Sequence, residues 1–158
     1  TQSLSREIFY IENFGISDAA IRNKVYLNPL TDKETVAYLL SELATGYLRK
    51  YDDYDDLMWL CANKSLEHYP QNITALHQKG NIINVRFMEY LAANGGVYDD
   101  YARLLDDKWK ENFELVKELG WTEMSDDIYE KLLQDTENAM KADGIDESKI
   151  TSEIEKAR

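Results

Sequence analysis

Cysteine and histidine have the clearest capacity for chemistry here, and the chain holds only one cysteine and two histidines. Cys61 and His68 lie seven residues apart on a predicted helix, so the two side chains share a face but are ~10 Å apart along the axis. That separation excludes a thiolate–imidazole pair within this helix. Cys61 lies in the apolar segment 57–62, which predicts a buried, uncharged thiol. Because His77 would need help from elsewhere in the fold to act as a base, we expect no catalysis, no metal ion and no cofactor.

The pairs of adjacent aspartates at 52–53, 55–56, 99–100 and 126–127 have the oxygen ligands that calcium or magnesium prefers. They lack the alternating ligands, central glycine and terminal glutamate of a calcium loop. Each pair lies at a predicted helix start, where a carboxylate offsets the positive end of the helix dipole by roughly 0.3–1 kcal/mol. Stabilisation of helix starts therefore explains the aspartate pairs without a bound metal ion.

The net charge of the chain limits the classes of partner that it can bind. Lysine and arginine total 18 against 30 aspartates and glutamates, which gives a net charge of −12. The phosphate-neutralising surface that dominates nucleic-acid affinity is therefore missing, and we expect no nucleic-acid partner. No run approaches the ~18 apolar residues of a membrane span, so we expect no membrane insertion. The sequence leaves the localisation open.

Helical patterns run through the whole chain, which has seven glycines, two prolines and no β-branched alternating run long enough for a strand. Ser17, Thr31, Asn72 and Ser125 are predicted helix N-caps, and Thr31 has the spacing of a capping box with Glu34. We predict about seven helices in one domain over residues 1–158. The first helix runs to Asn13. The next helices cover 18–26, 32 to about 48, 54–69, 73–94, 99–119 and 126–142, and a charged terminal helix covers 147–157.

Gly46 and Gly80 stand 34 residues apart, which is the period of a helix–turn–helix repeat. Pro70 ends one amphipathic helix between them, and Asn72 caps the next. Gly46, Ser65, Pro70 and Gly80 match the glycine, small-residue and proline positions of the tetratricopeptide repeat, and residues 31–102 resemble that family. Met58 departs from it, because a small alanine is usual at that position. A short internal repeat is also present, because the sequence Tyr-Asp-Asp-Tyr occurs at 51–54 and again at 98–101.

The resemblance implies an all-α fold, a right-handed array of antiparallel helix pairs forming an α-α superhelix. Segments 1–30 and 103–158 would be flanking packing helices. It also implies that Gly46 and Gly80 lie where helices approach closely. The function it implies is a non-catalytic module that binds a protein or peptide, or that serves as a scaffold.

In tetratricopeptide folds the groove is lined by one stripe of each first helix, and the matched glycines place that stripe on two helices here. A helix face that is merely solvated would show the same polar pattern as the stripe on the second helix. The amide, hydroxyl and imidazole groups of that stripe can, however, form hydrogen bonds with a peptide backbone without a charge to desolvate. The predicted groove residues are Leu40, Leu43, Tyr47 and Lys50 on the first helix, and Thr74, His77, Asn81 and Asn84 on the second.

Two other functions fit the same sequence. The helices could be a structural accessory region that packs against a missing catalytic domain, or that associates with a second copy of itself. Three tryptophans and eleven tyrosines would also suit an aromatic sugar-binding domain. For the tryptophans, we predict that Trp109 lies in the core and that Trp121 is partly exposed.

Overall fold

A computed structural model describes residues 10, 11 and 13–142. Six helices lie wholly within this part of the chain, residues 10, 11, 13 and 14 are also helical, and no described residue is in a strand. The predicted all-α class is therefore confirmed. The predicted terminal helix at 147–157 lies outside the described residues. The helices are α1 (Asp18–Arg22), α2 (Asp32–Tyr51), α3 (Asp56–His68), α4 (Ile73–Ala93), α5 (Asp100–Glu118) and α6 (Asp126–Ala142).

The chain divides into two compact units. One is Ser17–Trp121, which contains α1 to α5; the other combines Thr1–Ile16 with Thr122–Arg158 and contains α6. Within the second unit Gly15 has a φ of 62°, and its carbonyl accepts a hydrogen bond from the Thr122 hydroxyl at 3.4 Å. No residue of α6 is fully buried. The single domain over residues 1–158 stays a prediction.

Local capping signals set the starts of the helices. The Ser17 hydroxyl accepts from the Ala20 amide at 3.0 Å, and Thr31 forms the predicted capping box with Glu34. Asn72 caps α4, so three of the four predicted caps are confirmed, and the Ser125 cap stays a prediction. The predicted end of α1 is wrong, because α1 stops at Arg22 rather than near residue 26. Lys24 and Leu27, with φ of 59° and 56°, have left-handed backbone that a helix cannot continue through.

Asp55 and Asp99 form the same structure at the starts of α3 and α5. Their φ and ψ are −88° and −171° for Asp55 and −90° and −170° for Asp99. Each carboxylate accepts two backbone amides of its helix and one tyrosine hydroxyl from the helix before. Tyr47 donates to Asp55 at 2.6 Å and Tyr90 donates to Asp99 at 2.6 Å. The internal repeat therefore aligns Asp55 with Asp99, and it consists of a long helix followed by a capped partner.

The two Tyr-Asp-Asp-Tyr segments do not occupy equivalent places in this repeat. Asp52 is the C-cap of α2, with a left-handed φ of 52°, whereas Asp99 caps the start of α5. The prediction that the 52–53 pair begins a helix is therefore wrong, and negative charge at a helix C-terminus opposes the dipole. The other three pairs lie at helix starts, as predicted.

Helices α2 to α5 pack as successive neighbours, and α2 also contacts α4. Short connections between them make neighbouring helices antiparallel. The centre of the core combines Ala44 of α2, Met58 and Cys61 of α3 and Ile82 of α4. Cys61 is buried, as predicted, and burial raises the pKa of its thiol. The right-handed superhelix stays a prediction.

The buried face of α2 is made of small residues. Ala37, Ser41 and Ala44 are at most 1% exposed, and their size lets α3 and α4 approach closely. The large apolar residues Val36, Leu39 and Leu43 are instead 61%, 58% and 58% exposed. Three large apolar residues of this helix therefore face solvent, whereas Tyr47 and Leu48 are partly buried against the core.

The two matched glycines have opposite surroundings. A Cβ at Gly80 would lie 2.9 Å from Nδ2 of Asn112, which confirms a close approach of α4 and α5. A Cβ at Gly46 would meet nothing within 4 Å. The prediction that Gly46 lies at a close helix approach is therefore wrong.

Gly80→Leu is expected to lower the free energy of unfolding by about 1–3 kcal/mol through overpacking. The added side chain would displace the Asn112 amide, which donates to the Leu76 carbonyl at 2.9 Å. Gly46→Ala is the matched control, and it should stabilise by up to about 1 kcal/mol because alanine is the better helix former. Urea unfolding followed by circular dichroism at one low protein concentration measures both. Equal stability of Gly80→Leu and the parent would contradict the close approach.

Candidate functional site

A buried polar network fixes the rotation of α4 against α2 and α3. Nδ2 of Asn72 donates to the hydroxyls of Ser41 at 3.0 Å and Ser65 at 2.8 Å. Nε2 of Gln78 donates to the Ser41 carbonyl at 2.8 Å and to the Thr45 hydroxyl at 2.9 Å. Buried amides with these partners are costly to rotate. The network therefore decides which residues of α2 and α4 can face a ligand.

The predicted polar face of α4 is present but only half of it faces solvent. Asn81 and Asn84 are exposed, whereas Thr74 and His77 are partly buried. Thr74 lines a cavity of about 280 Å³ together with Tyr38 of α2 and Tyr69. The structure thus keeps the four α4 residues on one side of the helix and uses the first two for internal packing.

His77 packs against Trp121. The ring centroids are 4.5 Å apart and the rings meet edge to face at 68°. Nε2 of His77 is buried and has no hydrogen-bond partner among the described residues, and burial lowers the pKa of the imidazole. A neutral, packed His77 serves the fold, and Trp121 is partly buried by the same contact.

The predicted groove residues Tyr47, Leu43 and Lys50 of α2 do not lie beside the predicted polar face of α4. The Tyr47 hydroxyl donates to Asp55, which raises the pKa of Tyr47 to about 12, so this ring faces the start of α3. Leu43 and Lys50 follow Ser41 by two and nine residues, and at ~100° per residue they lie on the side of α2 opposite Ser41. Since the Ser41 hydroxyl accepts from Asn72, the N-cap of α4, Leu43 and Lys50 are not brought together with the α4 face.

A larger cleft lies between α3, α4 and α5. Its volume is about 490 Å³, a size typical of ligand sites. Its walls are mostly apolar, and its polar side chains include two lysines and one glutamate. The apolar lining is Trp59, Leu66, Pro70, Leu76, Ile83 and Leu115, and the polar lining is Lys79, Lys108, Glu111 and Asn112.

Positive charge gathers around Trp59. The Arg86 guanidinium lies 4.9 Å from the centroid of the Trp59 ring, and the Lys79 ammonium lies 5.8 Å from it. Arg86 also forms an ion pair with Asp56 at 2.8 Å, which holds it beside the ring. Among the described residues, neither Lys79 nor Lys108 has a carboxylate partner. The cleft therefore offers an aromatic wall, the Glu111 carboxylate and two ammonium groups that form no ion pair among the described residues.

Sequence reasoning did not find this cleft. Lys79 and Lys108 lie on different helices, and their side chains look like ordinary surface lysines until α4 packs on α5. The sequence left open whether Trp59 is buried, because the segment 57–60 is apolar nearly all round the helix. Trp109, predicted to lie in the core, is only partly buried and stacks on Phe113 with the centroids 5.7 Å apart.

Comparison with known proteins identifies no relative. Family models, curated proteins and solved structures give no match to the chain. In the described residues, no helix is long and apolar enough to cross a membrane. The fold and the cleft are therefore the observations from which a function has to be inferred.

Proposed function

We propose that this chain is a non-catalytic peptide-binding module of tetratricopeptide-like type, and that the cleft between α3, α4 and α5 holds the peptide. The observation that carries the proposal is the cleft itself, with Lys79 beside the Trp59 ring and Lys108 in the lining. Neither lysine forms an ion pair among the described residues. The chemistry of this lining favours a short segment that combines an apolar side chain with one or more carboxylates.

The apolar wall supplies affinity. Burial of ligand surface stabilises a complex by about 25 cal/mol per Å² of apolar area, and aromatic walls add favourable ring contacts. Losses of rotational and translational freedom offset much of this gain, so we expect dissociation constants in the micromolar range.

The lysines supply selectivity. A chain with a net charge of −12 repels acidic peptides over most of its surface, whereas Lys79 and Lys108 attract a carboxylate locally. Charge pairs of this exposed kind contribute modestly to affinity, but they discriminate against basic ligands and direct the encounter. The same cleft therefore selects acidic segments and orients them.

Selection of random twelve-residue peptides displayed on phage tests the proposal. We expect the selected sequences to combine aspartate or glutamate with leucine, phenylalanine or tryptophan. A synthetic peptide from the selection should bind Trp59→Ala at least about tenfold more weakly, a difference of about 1.4 kcal/mol. Titration calorimetry measures both affinities.

Two charge-matched double variants separate the cleft from general charge effects. Lys79→Glu with Lys108→Glu should abolish binding, because the carboxylates of the peptide would then meet like charges. Lys33→Glu with Lys64→Glu makes the same change of net charge outside the cleft and should leave the affinity within about twofold, a difference of under 0.5 kcal/mol. Equal losses in the two variants, or selected peptides without acidic residues, would remove the cleft as the binding site.

A further inference from the structure

The outer face of α2 is an exposed apolar stripe with a charge at each end. At ~100° per residue, its residues all lie on the side of the helix opposite Ser41, which points inward to Asn72. Val36, Leu39 and Leu43 are 61%, 58% and 58% exposed. The face consists of Asp32, Val36, Leu39, Leu43, Gly46 and Lys50, and we name it the α2 outer face.

These six residues are arranged symmetrically about position 41. Leu39 and Leu43 are two residues away from it, Val36 and Gly46 are five away, and Asp32 and Lys50 are nine away. When two copies of such a helix run antiparallel about a two-fold axis, each residue meets its symmetric counterpart on the other copy. Interfaces of this isologous kind require a surface that is complementary to itself.

We propose that the α2 outer face binds the α2 outer face of a second copy of this chain, with the helices antiparallel and the two-fold axis beside position 41. Leu39 and Leu43 of both copies form a centre of four leucines. Asp32 of each copy pairs with Lys50 of the other, which gives one ion pair at each end. The charge complementarity favours a second copy over another occupant, because the two ends of the face have opposite signs.

Gly46 supports this pairing independently. Glycine in the interior of a helix lowers its stability, and nothing within 4 Å of its absent Cβ requires glycine within one copy. In the antiparallel pair Gly46 lies opposite Val36 of the second copy, and the missing side chain leaves room for the branched one. The Lys50 ammonium lies over the Tyr51 ring at 4.9 Å and has no carboxylate partner among the described residues.

Sedimentation velocity of the full chain between ~1 and ~200 µM tests the pairing, because contacts of one helix per copy give weak dimers. We expect a monomer–dimer equilibrium within this range. Leu39→Glu with Leu43→Glu places four carboxylates at the axis and should leave only monomer. Leu57→Glu with Leu60→Glu is the matched control, since both leucines are exposed on α3, at 42% and 55%, and the net charge changes equally. This control should dimerise like the parent.

Exchange of the end charges tests the register. Asp32→Lys and Lys50→Asp should each weaken dimerisation about fivefold, because like charges then meet at both ends. The combined variant restores opposite charges and should return the dissociation constant to that of the parent. A parent that is monomeric at ~200 µM, a dimer that survives Leu39→Glu with Leu43→Glu, or a combined variant that fails to recover would each overturn the proposal. Circular dichroism confirms that each variant is folded.

Discussion

Gly120→Ala is expected to lower the free energy of unfolding by about 3–5 kcal/mol, because it adds backbone strain to a steric clash. Gly120 has a φ of 90°, a conformation that side chains with a Cβ rarely adopt. The new Cβ would lie 2.7 Å from the Cβ of Ala19 and 2.8 Å from its carbonyl carbon. Backbone atoms cannot rotate away as a flexible side chain would, so α1 has to move.

The contact at Gly120 is the attachment of α1 to the end of α5. The Ser17 hydroxyl donates to the Gly120 carbonyl at 2.5 Å, and Nδ2 of Asn23 donates to the Glu118 carbonyl at 3.0 Å. A helix of five residues has little stability of its own. Displacement by alanine should therefore release α1 as a whole, which explains why one methyl group has so large an expected effect.

Gly96→Ala is the matched control for this experiment. Gly96 has a φ of 81°, but its absent Cβ would meet nothing within 4 Å. Only the strain is then added, and the expected loss is about 1 kcal/mol. Urea unfolding of the two variants measures the difference directly. Similar losses for Gly120→Ala and Gly96→Ala would show that α1 does not pack closely on Gly120.

The parts of the fold that depend on neighbouring residues were predictable from the sequence. Thr31 and Glu34 cap α2 through bonds to each other and to adjacent amides, and no distant residue is involved. Leu76 and Ile83 of α4 recur at helical spacing, and both are buried. Helix starts with such caps could be predicted because local chemistry determines them.

The buried face of α2 could not be predicted in the same way. Periodicity gives most weight to large apolar residues, and in α2 these include Val36, Leu39 and Leu43, which are exposed. The hydroxyls of Ser41 and Thr45 mark the inward face, because they accept hydrogen bonds from the side-chain amides of Asn72 and Gln78. Those amides are more than thirty residues away in the sequence, so only the packed structure identifies the choice.

The same limit applies to the candidate sites. Thr74, His77, Asn81 and Asn84 share one side of α4, which helical spacing determines. The contact of His77 with Trp121 depends on where the chain turns after α5, and no local pattern encodes it. The lysines of the cleft likewise meet only after α4 and α5 have packed.

Asn72→Ala is expected to lower the free energy of unfolding by about 2–4 kcal/mol. Loss of an N-cap costs about 1 kcal/mol, and each buried hydrogen bond contributes about 1 kcal/mol more. Asn72 is 2% exposed, caps α4 through the Ala75 amide, and donates to Ser41 and Ser65. A single side chain thus links three helices, and its removal leaves a polar cavity between them.

Asn84→Ala is the matched control, because Asn84 is exposed on the same helix and its loss should change stability by no more than about 0.5 kcal/mol. A double-mutant cycle then identifies the mechanism. If Asn72 stabilises the fold through its bond to Ser65, Ser65→Ala should cost about 1 kcal/mol less in the Asn72→Ala background than in the parent. Additive losses would show instead that Asn72 acts as a helix cap alone, and that the hydroxyl of Ser65 does not fix the packing of α3 against α4.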